Sequence, residues 1–141
     1  MFQLCQLSLR FPRNFYYQDI TALLYLLFNP NGQVYVGRTS GLGDGETLMW
    51  QRYWQHSVLR SEGFGTPTLD AEYKGPIGKD AIRGQEQQRI DSFGGIGSPL
   101  LRNERRGVDK LNPLGYGFWA ASNALFGNVA PFTGSIGFSI Y

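Results

Sequence analysis
In the stretch DAIRGQEQQRIDSF, residues 80–93, Ile82, Glu86, Ile90 and Phe93 fall on one helical stripe at steps of four, four and three. Three of these side chains belong in a core, and the fourth is a carboxylate. A lone acid on an inward face is costly unless it is paired, protonated or bound to a cation. Glu86 is therefore one of two things. It is an ion-pair partner of Arg83, Arg89 or a more distant arginine, or it is a metal ligand or general base in a cleft. As a ligand its oxygens suit Mg²⁺ or Mn²⁺, with phosphate and water completing the shell. Arg52 and His56, four apart, share a helix face. Such a pair is ordinarily solvated surface, yet a fixed arginine can neutralise charge on a phosphate and a histidine can move a proton at neutral pH. Tyr25 and Tyr35 are by type ordinary strand residues, and Asn103 an ordinary turn or cap residue. The run RNERR, residues 102–106, is a solvated basic loop or a grip on backbone phosphates.

These residues need elements to position them. ITALLYLLF (20–28) reads as a buried strand, NPNG as a turn and QVYVGRT as the returning strand. Asn-Pro-Asn-Gly favours a type I turn with Pro30 second and Gly32 in a left-handed position, which makes a three-residue loop. Phe28 then opposes Val34 and Leu27 opposes Tyr35, so Tyr25 and Tyr35 share a face. SGLGDG (40–45) is a glycine-rich loop. ETLMWQRYWQHSVLR (46–60) is a single helix with Met49, Trp50, Tyr53, Trp54 and Val58 on its apolar face. Residues 61–79, rich in Gly, Pro and Thr, read as irregular, and the helix at 80–93 stops at Gly94-Gly95. Residues 96–113 are loops around a brief element carrying Leu100 and Leu101. GFWAASNALFG (117–127) is a closing helix stopped by Gly127, followed by an extended or poorly ordered tail.

The bulk properties narrow the classes further. A chain of 141 residues with 42% hydrophobic and 17% charged residues is one folded domain, not a disordered chain. The single cysteine, Cys5, excludes an internal disulfide and a cysteine-rich zinc site, and the single histidine excludes a multi-histidine metal site. A net charge of +2 permits a nucleic-acid partner without requiring one. No apolar run approaches the roughly 20 residues that span a bilayer, and the first residues lack a signal-peptide pattern. Passage across a membrane would need an outside carrier.

Taken in order, a hairpin bearing Tyr25, the triplet Tyr-Val-Gly at 35–37, Arg52-x-x-x-His56, Glu86 and Asn103 resemble the GIY-YIG nuclease superfamily. LLY (23–25) stands for the first half of the signature, keeping the tyrosine without its Gly and Ile. VYVGRTSG, AIRGQEQQRIDSFGG, RNERRGVDKLNP and FWAASNALFG look like the C-terminal toxin domains of Rhs-type bacterial polymorphic toxins within that superfamily. The resemblance implies an α+β fold, a short antiparallel sheet built on the hairpin and flanked by helices. It divides the chain into 1–19, an arm or junction with an upstream Rhs core, 20–127, the nuclease toxin domain, and 128–141, a tail. RFPRNFYYQD, within the first of these, is itself similar to the end of the Rhs core.

The implied activity is a metal-dependent endonuclease toxin that hydrolyses DNA in the cytoplasm of a rival cell. A ribonuclease acting on tRNA or other RNA is the alternative, and a non-catalytic binding or structural module is a third. The resemblance assigns catalysis to Tyr25, Tyr35, Arg52, His56, Glu86 and Asn103, with Glu86 holding one Mg²⁺ or Mn²⁺. It assigns nucleic-acid contacts to Arg38, Arg83, Arg102, Arg105 and Arg106. It also implies a delivery protein upstream and an acidic immunity protein over the rim of Arg102, Arg105 and Arg106. No stable membrane association is expected.

Overall fold
The computed structural model of this chain describes residues 19–127 and 131–134. The arm expected at 1–19 lies outside the described residues save for Asp19, as does most of the 128–141 tail. The chain forms a small α+β domain around a three-stranded antiparallel sheet. Its strands are β1 (Ile20–Phe28), β2 (Val34–Leu42) and β3 (Thr68–Lys74), in the order β2-β1-β3. The flanking helices are α1 (Gly45–Trp54), α2 (Ser57–Ser61), α3 (Gly78–Ser92) and α4 (Gly115–Phe126).

The hairpin forms as its turn chemistry requires. Gly32 has φ 82°, its N–H donates to the Asn29 carbonyl at 3.1 Å, and Asn29 N–H donates to the Gln33 carbonyl at 3.1 Å. The Asn29 side-chain oxygen also accepts from the N–H groups of Asn31 and Gln33. Phe28 pairs with Val34, Leu27 with Tyr35 and Tyr25 with Gly37, the register expected from the turn.

β1 is central, and its apolar run lacks alternation because both faces are covered. Leu23, Tyr25 and Leu27 pack with Met49 and Tyr53 of α1, Leu59 of α2 and Phe64. On the other face Ala22 and Leu24 pack with Val34, Val36, Leu101 and with Ile82 and Ile90 of α3. The helix α4 packs chiefly on the outer side of α3, so α3 is enclosed between sheet and helix. That enclosure buries Gln85, Gln87 and Gln88 as well as the apolar stripe. Each finds a partner, as buried amides must. Ser122 Oγ donates to Gln85 Oε1 at 2.6 Å, Gln88 Nε2 donates to Ser122 Oγ at 3.0 Å, and Gln87 Oε1 accepts from Val108 N–H at 3.0 Å. Gly84 allows the two helices to approach, since a β-carbon there would collide with the Phe118 carbonyl.

Several elements differ from the sequence expectations. The helix expected over 46–60 is two helices, broken where His56 takes φ −87° and ψ 63°. The break turns Leu59 into the core and leaves Trp54 and Val58, both expected on the apolar face, exposed. β2 runs on to Leu42, shortening the glycine-rich loop, and Asp44 caps α1 by accepting from Thr47 N–H at 2.9 Å. β3, in the stretch expected to be irregular, is an edge strand. Leu69, Ala71 and Tyr73 alternate with Asp70, Glu72 and Lys74, a period-two signal the sequence reading passed over, and pairing with β1 realises it. The brief element at Leu100–Leu101 is a parallel bridge from Leu101 to Val34 along the outer edge of β2. Of the tail, Phe132 packs edge-on against Tyr116 at 5.6 Å, so the described part is neither free nor extended away. Among the described residues no helix is long and apolar enough to cross a membrane.

Candidate active site
On the α1 face of the sheet, Tyr25 lies across Gly37, where any β-carbon would collide with the phenol ring. The glycine of Tyr-Val-Gly thus makes room for the tyrosine opposite it. Tyr25 is 0% exposed, and its hydroxyl meets His56 Nε2 at 2.5 Å. The break between α1 and α2 is what delivers the imidazole to that point, rather than continuing the helix past it. The His56 ring also stands edge-on to Tyr35, with centroids 5.3 Å apart. Arg52, in the last turn of α1, donates to Gln55 Oε1 at 2.8 Å.

Burial sets the protonation states here. It pushes the Tyr25 phenol well above its usual range, with the neighbouring Tyr35 adding to the rise and Arg52 opposing it. Tyr35 is raised by burial and then by the charge of Glu86. His56 is lowered by burial, then by the positive charges of Arg52 and Arg60. At neutral pH both phenols are protonated and the imidazole is uncharged. The Tyr25 hydroxyl and His56 Nε2 share one hydrogen bond, whose direction follows the imidazole tautomer.

On the α3 face, Glu86 lies between Ile82 and Ile90 as the stripe requires, with its side chain 12% exposed. Its partner is the distant arginine, Arg38 of β2, whose Nε meets Glu86 Oε2 at 2.5 Å. Burial raises the Glu86 carboxyl, and Arg38 only partly offsets it. Arg38 follows Val34 and Val36 at alternate positions, so it faces α3 with them. The nearer candidates are engaged elsewhere. Arg89 pairs with Asp70 at 2.8 Å, and Arg83 lies over the Phe118 ring at 4.8 Å with its Nε buried and without a hydrogen-bond partner.

The two faces meet at the outer edge of β2. A cleft of about 420 Å³ opens there, lined by Tyr35, Arg38, Glu86, Arg102, Asn103 and the 104–107 segment. Asn103 builds one wall. Its Oδ1 accepts from Val36 N–H at 2.9 Å and its Nδ2 donates to the Val36 carbonyl at 2.8 Å, so a side-chain amide continues the strand pairing begun by Leu101. Asn103 therefore positions β2, and its amide is committed to that task.

Of the six residues expected to be catalytic, Tyr35, Glu86 and Asn103 line the cleft. Tyr25 is buried behind it, touching His56, while Arg52 acts electrostatically on Tyr25, Tyr35 and His56. The expected basic rim is mostly neutralised. Arg102 is held by Glu62 at 2.7 and 3.0 Å and by Glu104 at 3.1 Å. Arg106 turns to the Val108 carbonyl at 2.8 Å and Thr133 Oγ1 at 3.0 Å. Arg83 does not line the cleft. Arg105 is exposed with no partner among the described residues, and Arg38 is engaged with Glu86. Sequence reasoning missed Arg38 as the partner of Glu86, although strand alternation carried the signal. It also missed Gly107, where a β-carbon would stand 2.8 Å from Glu86 Oε2.

The donor set fits a divalent cation of the Mg²⁺ or Mn²⁺ type held by one carboxylate. Glu86 is a hard oxygen donor at a polar cleft, and glycine at 107 lets that segment lie close against the carboxylate. Among the described residues no three His, Cys, Asp or Glu side chains converge, so the protein would supply one ligand and phosphate and water the others. Comparison with protein families, characterised proteins and solved structures finds no match to this chain.

Proposed function
We propose that this domain is a metal-dependent endonuclease of the GIY-YIG kind that hydrolyses phosphodiester bonds in DNA and serves as an Rhs-type toxin. One observation carries the proposal: a half-buried phenol and a buried carboxylate, 51 residues apart in sequence (Tyr35 and Glu86), line a single cleft with an arginine between sheet and helix. Glu86 would hold the cation, which when bound polarises the scissile phosphate and stabilises its leaving oxygen.

The chain's own groups have separable tasks. Tyr35 reaches the cleft and orients the attacking water through its hydroxyl. Both phenols remain protonated at pH 7, and His56 Nε2 is engaged with Tyr25 away from the cleft lining, so the attacking water would pass its proton to solvent. Tyr25 is buried, so it acts on the imidazole rather than on the water. Arg52 offsets negative charge as the phosphorus becomes five-coordinate. Asn103 keeps Tyr35 and Arg38 in place by pinning Val36 between them. The water oxygen forms the new P–O bond as the bond to the leaving oxygen breaks, and the leaving oxygen is protonated from solvent.

The test is nicking of supercoiled plasmid with Mg²⁺ and with EDTA, alongside total tRNA on a denaturing gel. Plasmid relaxation is expected with Mg²⁺ alone, and Glu86→Ala is expected to abolish it while leaving the fold intact. Cleavage by Glu86→Ala at the native rate would defeat the site assignment. Cleavage of tRNA alone would transfer the same site to an RNA substrate.

A further inference from the structure
Arg38 stands at the mouth of the cleft, its side chain 44% exposed against 12% for the Glu86 carboxylate beneath it. A single hydrogen bond, Nε to Glu86 Oε2, occupies the guanidinium, and its two terminal nitrogens have no partner among the described residues. Its backbone is firmly placed, because β2 is paired along β1 and Asn103 anchors Val36 two positions earlier. Of the other cleft arginines, Arg102 is held in a fork by Glu62, Arg106 is tied to Val108 and Thr133, and Arg105, exposed and without a partner among the described residues, holds no carboxylate to release.

A cation approaching Glu86 in the free protein meets a positive guanidinium already on the carboxylate. The two like charges repel and weaken binding of the cation, and an added anion between them relieves that repulsion. Guanidinium groups bind phosphate oxygens with geometry equivalent to that for carboxylate, so exchange of one for the other is close to balanced.

We infer that Arg38 is a positioning residue that couples the cation to the nucleic acid: it holds Glu86 in the free protein and passes to a phosphate oxygen when the polyanion enters, releasing the carboxylate. This rests on the nuclease proposal for the polyanion, but not for the contact between Arg38 and Glu86. Binding of either partner then favours the other by the same factor, within the range of about 5–150-fold usual for such coupling.

The experiment is a Mn²⁺ titration followed by EPR, with and without a phosphorothioate DNA duplex that resists cleavage. Native protein should bind Mn²⁺ weakly alone and about 10-fold more tightly with the duplex. Arg38→Gln should bind Mn²⁺ about 10-fold more tightly than native protein without DNA and gain little from adding it. Arg38→Lys, which keeps the charge, should retain most of the coupling, and Glu86→Gln should lose the site in every background. Equal Mn²⁺ affinity of native protein and Arg38→Gln without DNA would overturn the inference, as would Mn²⁺ binding that survives Glu86→Gln. Tighter Mn²⁺ binding by Arg38→Gln, with no response to the duplex in either protein, would uphold the masking contact and sink the nuclease proposal instead.

Discussion
His56 is the only histidine in the chain, so its Cε1 proton can be followed by NMR without assignment. Burial and the charges of Arg52 and Arg60 lower its pKa, so its titration midpoint should lie below the ordinary value of 6.5. The folded state then favours the neutral ring. Its contribution to stability is intact above the ordinary value and is lost as pH falls below it. A midpoint at or above 6.5 would mean the ring is not held as described. Glu86 has the opposite linkage. Burial raises its carboxyl above 4.5, so the folded state binds the proton more tightly than the unfolded chain does. Stability therefore falls as pH rises through that interval. Glu86→Gln removes the buried charge, and its melting temperature should gain on the native protein as pH rises past 4.5. A gap that narrows with rising pH would contradict this.

At the level of elements, the site depends on two joins. The segment after Leu101 is fastened to β2 through the Asn103 amide, which satisfies both polar backbone groups of Val36. Asn103→Ala leaves those groups without protein partners and should cost about 1–3 kcal/mol in denaturant unfolding. The cleavage rate should fall as well, because Tyr35 and Arg38 flank the released position. Full activity in a destabilised Asn103→Ala protein would separate the join from the chemistry. The second join is the break between α1 and α2. It spends a stretch of helix to bring His56 to Tyr25, and it leaves Trp54 exposed beneath the Arg60 guanidinium at 5.2 Å.

For the whole molecule, a net charge of +2 offers little long-range attraction to a polyanion, so the proposed DNA binding would rely on local cations. Of the RNERR run, Arg105 alone lacks a partner among the described residues. Arg105→Ala should weaken DNA binding across sequences and reduce the salt dependence of log K by about 0.9, the release of one counterion. Arg106→Ala should instead lower the melting temperature, since Arg106 holds the Val108 carbonyl and Thr133. Equal salt slopes for native protein and Arg105→Ala would remove Arg105 from the interface. An acidic immunity protein, if the toxin proposal holds, would find its purchase at Arg38 and Arg105 rather than along the full rim.

The sequence by itself determined the features whose causes are local. The NPNG turn specified the hairpin register, alternation put Tyr25 and Tyr35 on one face, and helical spacing placed Glu86 inward between Ile82 and Ile90. Each follows from backbone geometry within a few residues. What only the tertiary structure decided depends on partners remote in the chain. Arg38 meets Glu86 across 48 positions, Asn103 meets Val36 across 67, and Tyr25 meets His56 across 31. The α1 helix stopped short of its propensity, and three arginines in one short run met different fates. A charged side chain carries no local sign of which carboxylate or phosphate will take it, because that choice is made by the packing that brings distant elements together.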